Sequence, residues 1–171
     1  MACLTTQGYT VPCKQSSGVS VVYIADFSDK GTPTLSATSG TITAWGSAAG
    51  DFYTYETRAE VVAGTFNATV NDANGTAFYT HSVTFNVEQL SGVRGVENDK
   101  LLKGNFLIIV KEQGSGKYFL YGYTNGMRCS AMENTHGVAL GDFNGTKFTF
   151  TSNEPAPAYE VDSTIIAGLL A

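Results

Sequence analysis

Charge is scarce in this chain. Asp, Glu, Lys and Arg make up 15% of its residues, against about 25% in an average soluble protein, so charge can solvate little of the surface. Solubility then rests on Thr, Ser, Asn and Gly, or on partner chains that cover the surface. What charge there is leans acidic, with a formal net charge of -5. Such a field opposes nucleic-acid phosphates and anionic lipid and disfavours tight nucleic-acid binding. Long apolar runs are missing as well. The longest, residues 106–110, falls far short of the ~20 residues that a membrane-spanning helix requires, so no membrane span is expected. Residues 1–8 carry neither a basic stretch nor an apolar core, so no secretory signal is expected and the chain is expected to stay in the cytosol where it is made. The 3 cysteines, Cys3, Cys13 and Cys129, form an odd set that does not support a complete disulfide framework. With one histidine they could form a zinc site on paper, but their spacing matches no closed CxxC knuckle. Buried thiols are the expected reading, and neither a metal nor a cofactor is expected.

What remains suits β-sheet. A length of 171 residues fits one domain, and the abundant Thr, Tyr and Phe fit a pleated surface. At 43% hydrophobic the chain is too apolar to stay unfolded. Residues 19–27 are β-branched and lie between Gly18 and the turn at Asp29, Lys30 and Gly31, as a buried strand does. Residues 41–45 form a short alternating run, and residues 52–62 alternate like a half-exposed strand. Asn74-Gly75 sits between the runs 65–70 and 76–87, a strong hairpin signal. One helix is predicted near residues 92–103, with Ser91 as N-cap, Gly104 at the C′ position and Leu90, Val93, Val96 and Leu101 on one face. Gly92 and Gly95 weaken it by up to ~1 kcal/mol each, so packing against a sheet must hold it. A strand over 106–111 and its hairpin partner over 117–123 follow, and the predicted core includes Leu90, Val93, Leu101, Phe106, Ile108 and Val110. Asn125-Gly126 marks a turn before Cys129. Residues 130–146 read as a long loop and 147–151 as a last alternating strand. Pro155 and Pro157 cannot continue a central strand, so residues 155–171 are expected to leave the sheet as an arm. That arm ends in the apolar residues Ile165, Ile166, Leu169 and Leu170, which need a covering surface.

The material for catalysis is thin. His81 falls in an alternating strand and reads as a packed or sheet-surface residue. His136 lies in a loop where general-base work is conceivable but solvation is the commoner state. Cys129 with His136 lacks a third, orienting group. Asp142 could offer oxygens to calcium, yet a calcium loop wants several carboxylates at fixed intervals, so turn chemistry is favoured. Gly126, Gly137, Gly141 and Gly145 do not follow a strand and open a helix, so they form no phosphate cradle. Tyr118, Phe119, Tyr121 and Tyr123 could stack on sugars or bases, although cross-strand packing explains their spacing more simply. No enzyme activity is expected.

Residues 4–10 with Cys13, residues 74–79, residues 117–122, and residues 137–145 leading to 148–151 together resemble a family of virion structural proteins from tailed phages of Bacteroidetes-type and marine bacteria. The likeness covers most of the chain and is weakest over 35–51. It implies assembly, and the order of elements resembles the tail-tube fold: an antiparallel β-sandwich or barrel, one flanking helix, a long loop and extended terminal arms. Subunits of that fold form hexameric rings that stack into a hollow conduit, and an acidic wall would let DNA slide through without specific binding. The implied partners are copies of the chain itself and other virion proteins, in a particle assembled in the host cytoplasm. The elements expected to bond neighbours are residues 1–17, the loop 130–146 and the arm 155–171, with Ile165, Ile166, Leu169, Leu170, His136, Leu140 and Asp142 as candidate contacts. A head-decoration or auxiliary capsid protein, or another head-to-tail structural protein, is the alternative, and a carbohydrate-binding β-sandwich a third reading.

Overall fold

Two strands buried on both faces organise the molecule. The computed structural model describes residues 17–37, 39–46, 52–58 and 60–171. In it, β1 (Val19–Asp26) and β7 (Asn105–Glu112) pair antiparallel, with Val22 opposite Val110 and Ile24 opposite Ile108. Successive side chains of a strand point to opposite faces. Val22, Ile24, Phe106, Ile108 and Val110 therefore enter one core, and Tyr23, Ala25, Leu107 and Ile109 enter a second on the other side. This is why both strands read as near-continuous apolar runs.

The other strands are β2 (Pro33–Leu35), β3 (Ile42–Trp45), β4 (Tyr53–Glu56), β5 (Ala63–Asn71), β6 (Thr76–Glu88), β8 (Tyr118–Tyr121), β9 (Met127–Thr135), β10 (Gly145–Glu154) and β11 (Tyr159–Val161). All 11 belong to one sheet, with the order β2-β3-β11-β8-β7-β9-β10-β6-β5 and with β1 and β4 branching from β7. Pairing is antiparallel except between β11 and β3 and at the Phe52–Leu170 bridge. β8 and β9 lie end to end along one edge of β7: β8 pairs with Ile108 to Lys111, and β9 touches only Asn105 and Phe106. Beyond that two-residue contact β9 diverges, carrying β10, β6 and β5 with it. The first core joins this second limb to the β1–β7–β8 face, through Val83, Phe85, Phe148 and Phe150. Phe85 stacks on Phe150 at 5.8 Å between ring centroids.

The sheet is open and mostly antiparallel, and the expected barrel does not form. Closure would require β5 to pair with an edge strand of the other limb. Among the described residues β5 pairs with β6 alone, and the candidate partners β2 and β4 have 3 and 4 residues.

The Asn74-Gly75 hairpin forms as the sequence predicts, in register from Ala63↔Thr84 to Asn71↔Thr76, with Gly75 at φ 61°. Helix α1 (Gly92–Lys103) also has its predicted bounds, and the Ser91 hydroxyl accepts from the Arg94 N–H at 3.3 Å. Its predicted face is corrected. Val93 and Val96 are 84% and 63% exposed, and the helix buries Asn98 and Leu101. The Asn98 amide donates to the Thr146 hydroxyl at 3.0 Å, which donates to Asn134 Oδ1 at 2.7 Å. This polar chain fixes the helix to the β9–β10 hairpin and turns the valines outward. Gly104 is extended, not left-handed. A Cβ there would lie 2.1 Å from Phe106 Cζ, so close approach of the ring is what requires glycine.

Two further expectations are corrected. Residues 130–146 are not one loop: β9 runs to Thr135 and β10 begins at Gly145. Residues 155–171 do not leave as an arm. Pro155 and Pro157 follow the end of β10, but Tyr159–Val161 slots between β8 and β3. A helical turn, α2 (Ser163–Ile166), then carries the chain across the second core. Ile166 and Leu169 are each 5% exposed, and the Phe52 N–H donates to the Leu169 carbonyl at 2.9 Å. Proline bars its own position from a central strand, not the residues that follow it.

A buried polar junction sits where β8 hands over to β9. The His81 ring is 2% exposed; the Gly122 N–H donates to its Nδ1 at 3.3 Å, and its Nε2 lies 3.1 Å from the Ala156 carbonyl. Nδ1 therefore bears no proton, and the Nε2–H donates. The buried Glu154 carboxylate accepts from the Thr124 and Asn125 N–H groups, both at 2.9 Å, and from the Ser152 hydroxyl.

The second core makes the C-terminal residues structural. Ile166→Ala and Leu169→Ala should each lower the unfolding free energy by about 2–5 kcal/mol, and Leu170→Ala, at an exposed position, should stay within about 0.5 kcal/mol. Urea titration of the three variants checks this, and equal effects would refute it. A second prediction concerns pH. Burial lowers the His81 pKa below its ordinary value, outweighing the opposing charge of Glu154 and the Ala156 hydrogen bond. The unfolded chain then takes up the proton first as pH drops below about 6.5. The His81 contribution is complete above that pH and is lost as pH falls through the lower folded value. A His81→Asn variant, which cannot titrate there, should show a flatter stability profile in this window; parallel urea-midpoint profiles for parent and variant would refute the assignment.

Candidate assembly surfaces

The surface offers association features of three kinds. The first is the far half of the β5–β6 hairpin. Every residue from Thr65 to Phe78 is exposed, so this stretch projects beyond both cores. Asp72 is its only charged residue. Natural edge strands are guarded by lysine, proline or bulges. β5 has a continuous register with β6 and carries no charged residue and no proline. Its outer edge pairs with nothing among the described residues, and Phe66, Val70 and Phe78 are 41%, 65% and 38% exposed.

The second is the face of the second limb turned away from the first core. The register places Thr65, Ser82 and Thr151 in one row across β5, β6 and β10, with Thr84 and Thr149 in the next. Arg128, Glu133 and Lys147 lie on the same face by the same register. The face is mainly hydroxyl-bearing, with charge of both signs at one side.

The third is the tip between β9 and β10. Val138 and Leu140 are fully exposed, at 101% and 110%, yet their loop is held in shape. Asp142 Oδ2 accepts from the Val138 N–H at 2.9 Å and the Ala139 N–H at 2.8 Å. These bonds pull the Asp142 pKa below the usual carboxylate value. Gly137, at φ 72°, lets the chain turn there, and a Cβ on it would meet Asp142 Cβ at 2.8 Å. The Asp142 carboxylate thus organises its own turn.

The candidate contacts divide. Leu140 and Asp142 share the exposed tip. His136 is also exposed and lines a shallow groove of about 560 Å³ between α1 and β9, with Asn98, Asp99 and Met132. Ile166 and Leu169 belong to the chain's own second core, Ile165 packs partly against it, and only Leu170 of that group is open to a neighbour, at 38%. Residues 1–16, with Cys3 and Cys13, lie outside the described residues. Cys129 points toward the first core, and burial pushes its thiol pKa up, against nucleophilic use. Six residues of β9 separate it from His136, roughly 20 Å at the usual rise, so the two do not form a pair. Nor do the tyrosines form an open platform. Tyr121 is 3% exposed and meets His81 edge-on at 5.5 Å, while Tyr123 packs on Tyr159 at 5.6 Å. Sequence reading passed over Val138, Phe66 and Val70; the available signal was an apolar pair, Val138 and Leu140, within a stretch too rich in Gly and Asn to bury it.

Comparison with protein-family models, with curated proteins and with solved structures finds no match to this chain.

Asp142→Ala should loosen the tip without touching either core. Amide exchange at Val138 and Ala139 should quicken by roughly three- to tenfold, with the urea midpoint unchanged. The same loosening should occur in the parent as pH falls below about 3.9 and through the lower folded value of Asp142. Unchanged exchange in the variant would show that the carboxylate does not hold the turn.

Proposed function

We propose that this chain is a virion structural subunit of a tailed phage, a tail-tube protein that assembles into stacked hexameric rings through which DNA passes. The observation that carries the assembly reading is the β5 edge, unpaired among the described residues and without lysine or proline, on a projecting, almost uncharged hairpin. A strand edge that is left open, uncharged and free of proline is a template for another strand. A chain that keeps such an edge must cover it or aggregate. Closed rings cover it in a defined way, because a head-to-tail contact whose rotation closes ends in a ring.

The tube, the hexamer and the DNA conduit come from the resemblance over residues 4–10, 74–79, 117–122 and 137–151. The two limbs, facing each other across the first core, stand in this reading for the two layers of the family's sandwich. The net charge of -5 suits a conduit, since phosphates must not adhere to its wall. Of the four apolar C-terminal candidates, Leu170 is available to bond a neighbour, while Ile166, Leu169 and in part Ile165 serve the subunit's own core.

Electron microscopy of the purified protein tests the reading. The expected result is hexameric rings, stacked at high concentration, with a bore that admits duplex DNA. Trimers seated on a capsid shell would replace the tube with head decoration, and a monodisperse monomer that retains glycans would overturn both.

A further inference from the structure

The exposed tip has a counterpart on the same molecule. Between β5 and the β1–β7–β8 layer, the described residues leave open a pocket of about 380 Å³, lined by Val19, Val62, Phe66, Val110, Phe119 and Tyr121 among others. Gly64 helps to make the room: a Cβ there would lie 2.8 Å from the Tyr121 hydroxyl. Val19, Val62, Val110 and Tyr121 belong to the first core and Phe119 packs against it, so among the described residues the pocket is an unfilled flank of that core, rimmed by the half-exposed Phe66.

The tip closes the β9–β10 hairpin and the pocket lies beside β5, at the opposite side of the second limb, whose strand order is β9-β10-β6-β5. Two to three strand spacings separate them, about 10–14 Å, and the offset along the strands from Glu88 to Val83 adds about 17 Å. The Asp142 hydrogen bonds keep the tip compact, so it cannot fold back over that distance into its own pocket.

We infer that Val138 and Leu140 of one subunit insert into the pocket beside Phe66 of the next copy, forming the head-to-tail contact around the ring. The inference rests on the assembly reading above and names its contact. Size is compatible: seven side-chain carbons, at about the 30 Å³ that a water occupies in the liquid, need roughly 210 Å³. Chemistry is matched too, an apolar pair entering a lining that is mostly apolar, with Ser17 and Glu112 as its polar members. Because Asp142 already orders the tip, docking loses little conformational entropy there. With knob and hole on opposite sides, each copy offers one of each, which is the requirement for a heterologous interface that propagates.

The test compares the parent with a Val138→Ser, Leu140→Ser double variant and with the charge pair Leu140→Lys and Phe66→Glu, using sedimentation velocity over a concentration series. Far-ultraviolet circular dichroism confirms that each variant is folded. The double variant should raise the concentration for half-assembly by tenfold or more, roughly the effect of withholding one buried aliphatic side chain. Leu140→Lys and Phe66→Glu should each impair assembly, and combining them in one chain should restore it. Rescue by the combined variant is not expected if Phe66→Glu acts only by disturbing the fold. If the parent assembles and the double variant assembles at the same concentration, the tip is not the knob and this inference fails while the assembly reading stands. If Phe66→Glu alone blocks assembly and is not rescued, the pocket takes another segment and the inference fails in that way. A parent that stays monomeric throughout would overturn both.

Discussion

The arrangement of the molecule depends on how the chain passes from β8 to β9. Between Tyr121 and Met127 it leaves one limb of the sheet and enters the other, and this turn exposes N–H groups that no strand can pair. Side chains from the other limb pair them: His81 takes the Gly122 N–H, and Glu154 takes those of Thr124 and Asn125. Gly122 and Glu154 are buried, and a buried polar group left without a partner costs about 1–3 kcal/mol, more when the group is charged. These bonds therefore also fix how β6 and β10 sit against β8. Backbone geometry adds its own demand. Gly122 and Gly126 both have positive φ, and a Cβ on Gly126 would fall 2.2 Å from Asn105 Oδ1. Asn105 in turn donates to the Asn125 carbonyl, which ties the turn to the start of β7.

The two limbs divide the work. The limb containing β1 and β7 is covered on both faces, by the second limb on one side and by β11, α2 and the C-terminal residues on the other. It has little surface to give. Among the described residues the second limb is covered on one face only and its hairpin outruns the core, so the edge they leave open, the hydroxyl-bearing face and the exposed tip all belong to it. Burying the C-terminal segment follows from the same division. A strand pair that is apolar on both faces needs a second cover, and Ile166, Leu169 and Val161 provide it.

What could be read from the sequence was what local chemistry decides. Asn74-Gly75 sets a hairpin because glycine takes positive φ there, and Ser91 starts α1 because its hydroxyl can accept from Arg94. Features set by distant partners were not readable in this way. The spacing of Leu90, Val93, Val96 and Leu101 suggested a helical face, but the Asn98–Thr146–Asn134 chain determines which side is buried, and nothing local announces it. β9 was hidden in a stretch of small and polar residues because its partly buried members, Cys129 and Met132, are three apart. The irregularity opposite Thr149 and Phe150 breaks their alternation. β11 has three residues, too few for any period, and follows two prolines that suggest departure. His81 looked like an ordinary strand residue and Glu154 lay beyond the strand predicted over 147–151, since the role of each depends on a turn some 30 to 40 positions away. The tip was legible in part: Leu140 and Asp142 lie in it, although the sequence did not show that Asp142 shapes the turn that displays Leu140.

Low charge and exposed apolar side chains would normally be a hazard together, and the way they are distributed bears on how the chain avoids aggregation. Much of the charge is placed on α1 and its surroundings, where Lys100–Glu97 and Lys103–Asp99 pairs keep the helix surface wet. The apolar exposure of the second limb is concentrated at the β5–β6 hairpin and at the tip. An exposed patch on a rigid element associates at one geometry, whereas the same residues on a flexible segment would associate at many. The tip is rigid through Asp142 and the hairpin through its continuous register with β6, so sticky surface is presented at fixed positions and angles. In the proposed head-to-tail ring one repeating contact covers both patches, whereas each nonspecific contact covers one patch and leaves the other exposed, which is the condition for ordered assembly to compete against disordered aggregation.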